Sequence, residues 1–379
     1  MTLSDDVSND PLIDGVVRQS VDRWSRPLDS ERLSESLDGY RRYTWRKWVF
    51  MAACLTLTVL VSGYSLTIGG YSIGFLETFQ IVWGHIVGDV ADPLKDHIVI
   101  NLRLPRIVTA ILAGVGLAVC GVAMQSSLLN PLADPYTTGV SSGALFGATL
   151  GMILHISLLG SGGIVLNAFV FALIPMVAIM LVSKVRNSSP TTMIMAGIAV
   201  MYIFNALTAL IKLSADPNDL KALYEWSVGT LYFSTWSDIP MLLGFVIGGM
   251  AVIQFLSRKL NVLASGEENA KGLGVNTGLI RRLTLLVVSL TTAAVVSVTG
   301  LIGFVGLVAP HITRIFIGSD NRFLVPASAI FGAFLLIIAD MVGRLIVAPA
   351  VLEVGVVTSF LGGPLFLWLI LRSNKKVWD

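Results

Sequence analysis

The sequence predicts an all-α polytopic membrane protein of about ten transmembrane helices, with both termini cytoplasmic. Hydrophobic residues make up 54% of the 379 residues, charged residues make up only 13%, and the mean hydropathy is +0.78. The apolar runs are long and lack the period-two alternation of barrel strands. Because lipid cannot pair free backbone groups, long apolar runs without that alternation indicate helices.

The chain divides into a polar N-terminal tail, a helical domain and a short C-terminal tail. Residues 1–47 are polar and charged, and the first 40 show no apolar period, which predicts a mobile cytoplasmic tail. No signal peptide opens the chain, so the first span is expected to be a retained anchor. Residues 373–379 form the second tail. Within the domain at 48–372, the predicted spans are 48–66, 107–128, 139–159, 164–183, 193–212, 239–257, 283–299, 301–317, 324–347 and 355–371.

The basic residues predict the orientation. With a cytoplasmic N-terminus, 20 of the 26 Lys and Arg residues fall on the cytoplasmic side, as the positive-inside rule requires. The six on the opposite side are Lys95, Arg103, Arg106, Lys212, Lys221 and Arg344.

The sequence offers no sign of catalysis or of a bound metal. It contains no phosphate-binding loop and no paired histidines of the H-E-x-x-H kind. Cys54 and Cys120 both fall within predicted spans, so we expect no disulfide. We also expect no cofactor in this chain. If the protein moves a solute uphill, the energy must therefore come from an ion gradient or from another subunit. The four histidines are scattered without metal-ligand spacing: His85, His97, His155 and His311.

Glycines recur at every fourth position at the start of the third span. Such a stripe allows close approach of another helix, either inside one subunit or at the seam of a homodimer. The preceding NPLADP sequence places two prolines where a helix cannot continue, which predicts a structured cytoplasmic turn. The glycines are Gly139, Gly143, Gly147 and Gly151.

Arginines lie at the outer ends of two spans. Arg103 and Arg106 begin the second span, and Arg344 ends the ninth. They either snorkel to lipid headgroups or form a docking surface for carboxylates of a partner. Asp340 precedes Arg344 by four residues, and we expect an ion pair on one helix face in preference to a proton relay.

The polar sequence SGEENAKGLG at 265–274 interrupts two apolar runs. Ser265 and Glu268 have the spacing of a capping box, and Gly272 or Gly274 is suited to end a short helix. The sequence therefore predicts a brief cytoplasmic helix. It is either merely solvated or a rigid knob that enters a groove of a partner.

Six motifs in order resemble those of the FecCD family of permeases: RLPRI, Gln125 before NPLADP, GVSSGA, GEENAKGLGV, GFVGLVAPHITR and GVVTSFLGGPLF. The resemblance covers residues 48–372. The family consists of membrane subunits of type II ABC importers for iron-siderophore complexes, haem and vitamin B12. It implies a homodimer in the cell membrane, two cytoplasmic ABC ATPase subunits, an extracytoplasmic substrate-binding protein, and no nucleic acid. The chain itself would not be an enzyme.

The resemblance also implies roles for particular residues. Arg103, Arg106 and Arg344 match arginines that dock the binding protein. A cytoplasmic gate matches the loop that contains Ser188, Ser189, Thr191 and Thr192. The coupling helix, which enters a cleft of the ATPase, matches Gly266, Glu267, Glu268, Ala270, Lys271, Leu273 and Gly274.

One position departs from the family pattern. Glu353 stands where relatives often carry proline before the last helix, and this difference predicts a looser external turn. Two alternatives remain on the residues alone: a secondary transporter driven by an ion gradient, with Asp340 as its ionisable group, and a structural or receptor-like membrane scaffold.

Overall fold

The computed structural model describes residues 30–158, 163–185, 190–347 and 350–372. Within these ranges the ordered elements are helices, and no strand occurs. The α-helices are α1 Ser30–Ser65, α2 Phe75–Val87, α3 Pro93–His97, α4 Leu104–Ser127, α5 Val140–Met152, α6 Gly163–Val185, α7 Pro190–Lys212, α8 Pro217–Val228, α9 Ile239–Ala264, α10 Glu267–Gly272, α11 Thr277–Thr299, α12 Val305–Ile317, α13 Asn321–Ile346 and α14 Val354–Arg372.

The prediction of an all-helical polytopic membrane protein is confirmed, whereas the count of ten spans is not. Among the described residues, seven helical segments are long and apolar enough to cross a bilayer. Three further apolar helices are shorter: Val140–Met152, Val305–Ile317 and Val354–Trp368. They correspond to the third, eighth and tenth predicted spans. A 13-residue helix rises only about 20 Å, so α5 and α12 are each too short to cross alone.

The first helix differs from the expected tail. It begins at Ser30, so the part of the predicted 1–47 tail from Ser30 onward is helical. Its residues include many good helix formers such as Leu, Glu, Arg and Lys, and extending an existing helix costs less than starting one. Residues 1–29 and 373–379 of the two predicted tails lie outside the described residues.

The NPLADP turn is buried at Ala133 and Asp134 but not at Leu132, which is 44% exposed, and its cytoplasmic position stays a prediction. Ala133 and Asp134 are 2% and 7% exposed. The turn ends at Gly139, whose positive φ of 82° suits glycine. A Cβ at Gly139 would lie 3.0 Å from the carbonyl oxygen of Gly197 and 3.3 Å from Cβ of Pro175. Both neighbours belong to the interior of long helices, so the turn reaches into the bundle. Non-helical backbone is tolerated at that depth because protein surrounds it.

Helix α4 runs through the centre of the fold and approaches two other helices by backbone contact. A Cβ at Gly114 would lie 2.4 Å from the carbonyl oxygen of Gly332 in α13. At Gly121 it would lie 1.8 Å from the carbonyl oxygen of Gly306 in α12. These distances leave no room for a side chain. The small residues therefore set the spacing of α4, α12 and α13.

The glycine stripe of α5 packs against α6 of the same chain. Added Cβ atoms at Gly143 and Gly147 would each lie 2.4 Å from a backbone oxygen of α6, those of Phe171 and Asn167. Gly151 faces Ile164 at the start of the same helix. Gly139 also lies against Pro175 of α6, so intramolecular helix contacts occupy all four positions of the stripe.

Gly121→Ala tests the close contact in the core. The added methyl group would collide with the Gly306 carbonyl, so we expect a loss of roughly 1–3 kcal/mol or more in stability, as for an overpacked core. The measurement is the thermal unfolding midpoint of the purified chain in detergent.

Gly244→Ala in α9 is the matched control, because nothing lies within 4 Å of its added Cβ. Removing a glycine from a helix interior should leave stability equal or slightly higher. Equal midpoints for the two variants would contradict the proposed packing.

Candidate functional site

Helix α10 forms as predicted but begins differently. Gly266 is its N-cap with a φ of 108°, and the Ser265 hydroxyl donates to the carbonyl oxygen of Val262 at 2.7 Å. The predicted capping box of Ser265 and Glu268 is therefore wrong. The glycine turn moves the start of the helix one residue later, and Ser265 completes the end of α9 instead. Gly274 follows α10 with a φ of 77°, so it provides the predicted left-handed ending.

Buried contacts attach α10 rigidly to the rest of the fold. Ala270 is completely buried. Glu267 accepts a hydrogen bond from Nη1 of Arg281 at 2.8 Å and pairs with Nζ of Lys271 at 2.8 Å. The Lys271 and Arg281 contacts lower the pKa of the Glu267 carboxyl. The carboxylate thus stays ionised and holds α10 against α11.

Arg281 connects this short helix to the central helix. Its side chain is 1% exposed, and its Nε donates to the carbonyl oxygen of Ser127 at 3.0 Å. Ser127 is the last residue of α4 and lies directly before the buried turn. A chain of polar contacts therefore runs from α10 through Arg281 to the end of α4.

The outer side of α10 is free of such contacts to the bundle. Leu273 is 71% exposed, and Glu268 is also exposed. Lys271 keeps its side chain 62% exposed while it pairs with Glu267. The helix thus exposes the apolar Leu273 beside the charged Glu268 and Lys271. Apolar groups flanked by polar ones are typical of a surface that binds another protein.

The three predicted docking arginines all have buried internal partners. Arg106 Nε and Arg344 Nη2 reach the two oxygens of Asp340 at 2.8 Å and 2.9 Å. The predicted pair of Asp340 with Arg344 is therefore confirmed, and Arg106 from α4 completes a three-residue cluster. The Asp340 side chain is only 1% exposed. Two cations share one buried carboxylate.

The same arginines fasten the chain that follows α1. Arg103 Nη1 donates to the carbonyl oxygen of Leu66 at 2.7 Å. Arg344 Nη1 donates to those of Ser65 at 3.0 Å and Ile68 at 2.8 Å. The guanidinium groups satisfy backbone carbonyls where α1 ends. Docking of a partner through these arginines stays a prediction, and each has a structural role besides.

Of the four residues predicted to form a gate, the structure describes two. Ser188 and Ser189 are outside the described residues. Thr191 is exposed and Thr192 is partly buried in the first turn of α7. Nothing in these positions tests a gate, which stays a prediction.

Glu353 lies immediately before α14 and is half-buried. Burial raises the pKa of its carboxyl, with opposing hydrogen bonding from Thr230. The neighbouring Leu352 N–H donates to the carbonyl oxygen of Gly343 at 2.9 Å. The turn is thus held by a backbone hydrogen bond although the family proline is absent.

A cavity of about 570 Å³ lies where several helices begin or end. It is bordered by the start of α5, the end of α8, the segment before α12 and the start of α14. Its hydroxyl-bearing lining residues are Tyr136, Ser141, Ser227 and Ser359, beside apolar groups such as Phe360. No charged side chain lines it. The wall can contact a polar solute and has no group for tight ionic binding.

Sequence reasoning missed both Arg281 and this cavity. An arginine pair at the start of an apolar span, Arg281 and Arg282, was a usable signal, because a charge beside lipid requires a partner. The cavity had a weaker signal: Gly300, Gly303 and Gly355 mark breaks between apolar runs. Which breaks meet in space depends on long-range packing.

No group of metal-ligating side chains occurs within the described ranges. The two cysteines are buried and unpaired.

Asp340→Asn tests the shared carboxylate. It would leave two buried guanidinium groups without their counter-charge, so we expect a loss of about 3–5 kcal/mol, the usual cost of breaking a buried pair. Thermal unfolding in detergent measures it. The control is Glu225→Gln, which removes an exposed pair with Lys221 at 3.8 Å and should cost at most about 1 kcal/mol. Equal effects would exclude a structural role for the cluster.

Comparison with known proteins gives consistent matches. The profile described as the FecCD transport family matches residues 55–372. A Methanocaldococcus jannaschii protein named as an ABC transporter permease is 42% identical, covering 89% of this chain and 98% of its own length. The hemin transport system permease protein HmuU of Yersinia pestis is 36% identical, with coverages of 82% and 93%.

A solved structure has the same fold. It is described as an inward-facing conformation of a metal-chelate type ABC transporter, and it aligns with a TM-score of 0.75 and 29% identity. The alignment covers 85% of this chain and 99% of that one.

Proposed function

The chain belongs to the FecCD transport family, and from this premise we propose that it forms the translocation pathway for an iron complex, with an iron-siderophore chelate as the first candidate. It is a multi-pass protein of the cell membrane and a permease of an ABC importer. Haem and cobalamin are the other cargo classes to be tested.

The observation that supports this proposal best is the rigid attachment of α10. A coupling element must transmit movement, so it must be stiff and exposed at once. Ala270 and the pair of Glu267 with Arg281 provide the stiffness. Leu273 and Glu268 provide the exposed contact surface for an ABC ATPase subunit.

A contiguous route leads from this surface to the cavity. Arg281 contacts the end of α4 at Ser127, and the buried turn continues to Tyr136, whose hydroxyl donates to the carbonyl oxygen of Ile302 at 3.0 Å. Tyr136 lines the cavity. Movement of α10 on ATP binding would thus be transmitted to the cavity wall through packed and hydrogen-bonded groups.

The cavity suits a pathway wall better than a storage site. It is lined by hydroxyl and apolar groups without charge, so a solute would pass without a deep energy minimum. We propose that a second copy of the chain completes the pathway. Specificity then rests on an extracytoplasmic binding protein, and ATP and loaded binding protein are coupled through their different affinities for the two states of the permease.

The exposed side of α10 gives the sharpest test. Leu273→Asp and Glu268→Lys should abolish co-purification with the ATPase subunit and its stimulation by loaded binding protein, because both change only the contact surface. Thermal stability of the permease should stay unchanged. Glu267 is unsuitable for this test, because its reversal would also break the ion pair with the buried Arg281.

Leu213→Asp is the matched control. Leu213 is a leucine that is also largely exposed, 84% against 71% for Leu273, and it directly follows α7. It should leave ATPase binding intact. Normal ATPase association of both α10 variants would exclude α10 as the coupling element. A chain that binds no ATPase and moves solute with an imposed ion gradient would instead be a secondary transporter.

Cargo class is tested in the same reconstituted assembly. Binding protein loaded with a ferric siderophore should stimulate ATP hydrolysis and uptake of labelled iron into proteoliposomes. Stimulation by haem or cobalamin alone would reassign the cargo while keeping the importer function.

A further inference from the structure

Helix α2 carries an apolar face that the described chain leaves mostly exposed. Six of its residues are between 45% and 75% exposed. At 100° per residue they fall within an arc of about 120° on the helix surface. The arc contains no charged residue. Its members are Phe75, Leu76, Phe79, Trp83, Ile86 and Val87.

Polar groups occupy other sides of the same helix. Glu77 pairs with the Lys95 ammonium group, and Nδ1 of His85 lies 3.0 Å from the Asp96 carboxylate. Gln80 is exposed beside them. Of these groups, all but His85 line a depression of about 180 Å³. The helix is therefore amphipathic, with one dry and one wet face.

The depth of α2 is set by its contacts with two membrane spans. A Cβ at Gly63 in α1 would lie 3.2 Å from Cζ of Phe79, and Gly63 is two residues from the end of that span. On its inner side, Ile81 and Val82 pack against the buried pair Val99 and Ile100. Helix α2 thus lies at the level where α1 leaves the hydrocarbon.

The apolar face continues the lipid-facing surface of α1. Val59 and Leu60, one turn before Gly63, are each 63% exposed. Phe79 lies over Gly63 and so joins this surface to the arc of α2. A tryptophan in the arc fits the same level, because indole rings favour the membrane–water interface.

We propose that α2 is an interfacial anchor whose apolar face is buried in the lipid leaflet at the Ser65 end of α1. Lipid is the occupant because the face continues a membrane-facing surface, carries no charge and lies opposite a hydrated ion-paired face. Helices of this kind insert about 5–10 Å into the headgroup and acyl boundary. The anchor fixes the segment between the first two spans, whose chain the guanidinium groups of Arg103 and Arg344 also hold. This inference does not depend on the cargo or on the ATPase.

Collision accessibility of spin labels tests the anchor in proteoliposomes of the full chain. The background is Cys54→Ala with Cys120→Ala, since both native cysteines are buried. Labels at Leu76→Cys and Trp83→Cys should collide several-fold more with oxygen, which enters lipid, than with a water-soluble nickel chelate. Gln80→Cys is the matched control on the wet face and should show the opposite preference. Ile86→Cys replaces Trp83→Cys if that variant fails to insert.

Each other outcome overturns the proposal and identifies a different occupant. Equal nickel access at positions 76, 83 and 80 would mean that the face is in water. Low access to both reagents would mean that a second copy of the chain covers it. Lipid access that disappears only when binding protein is added would mean that the face is a docking surface. None of these readouts uses ATP hydrolysis or uptake, so failure here is separate from failure of the importer function.

Discussion

Backbone contact along α4 is the constraint on which the other helices depend. The absence of side chains at Gly114 and Gly121 lets α13 and α12 approach within van der Waals distance of its backbone. In lipid, helix association relies on such close packing, because apolar side chains gain little by leaving an apolar solvent. With α12 fixed in this way, Gly306 of α12 lies against Pro135 of the NPLADP turn. This contact holds the turn against α12. The position of Tyr136 at the cavity follows from that contact.

Buried arginines complete the structure at both ends of this central helix. At one end Arg281 satisfies the carbonyl oxygen of Ser127, where α4 stops. At the other, Arg103 and Arg344 satisfy carbonyl oxygens of the chain after α1. Helix ends leave backbone groups unpaired, and an unpaired group is costly in low dielectric. A guanidinium group can donate several hydrogen bonds, and Glu267 and Asp340 balance the charges of Arg281 and Arg344. Arginine therefore pairs backbone carbonyl groups at both ends of the central helix.

The sequence predicted local features far better than long-range ones. The apolar runs located the helices, and the four-residue spacing of Asp340 and Arg344 predicted their pair correctly, because both features depend on neighbours along one helix. The capping box failed because Gly266 could adopt a positive φ and move the helix start. The partner of Arg281 was out of reach, since Ser127 lies 154 residues away. Likewise, the apolar run at 139–159 was predicted to be a full span, but its helix covers only Val140–Met152. Composition does not reveal where a helix ends or how deeply a turn enters the bundle.

The broken helices explain why the cavity forms where it does. An unbroken helix offers lipid or its neighbours only side chains, whereas the start of α5, the end of α8 and the start of α14 bring backbone polar groups together beside the cavity. Those groups need partners or water, and the hydroxyls that line the cavity provide a polar environment. Phe304, at the start of α12, has a φ of 67°, which is an unfavourable region for a bulky residue. Its ring leaves no space for a side chain at Gly362 in α14. The left-handed backbone at Phe304 is thus packed against the same helix that forms part of the cavity wall, so the position of α14 determines both the Phe304 conformation and the shape of the cavity.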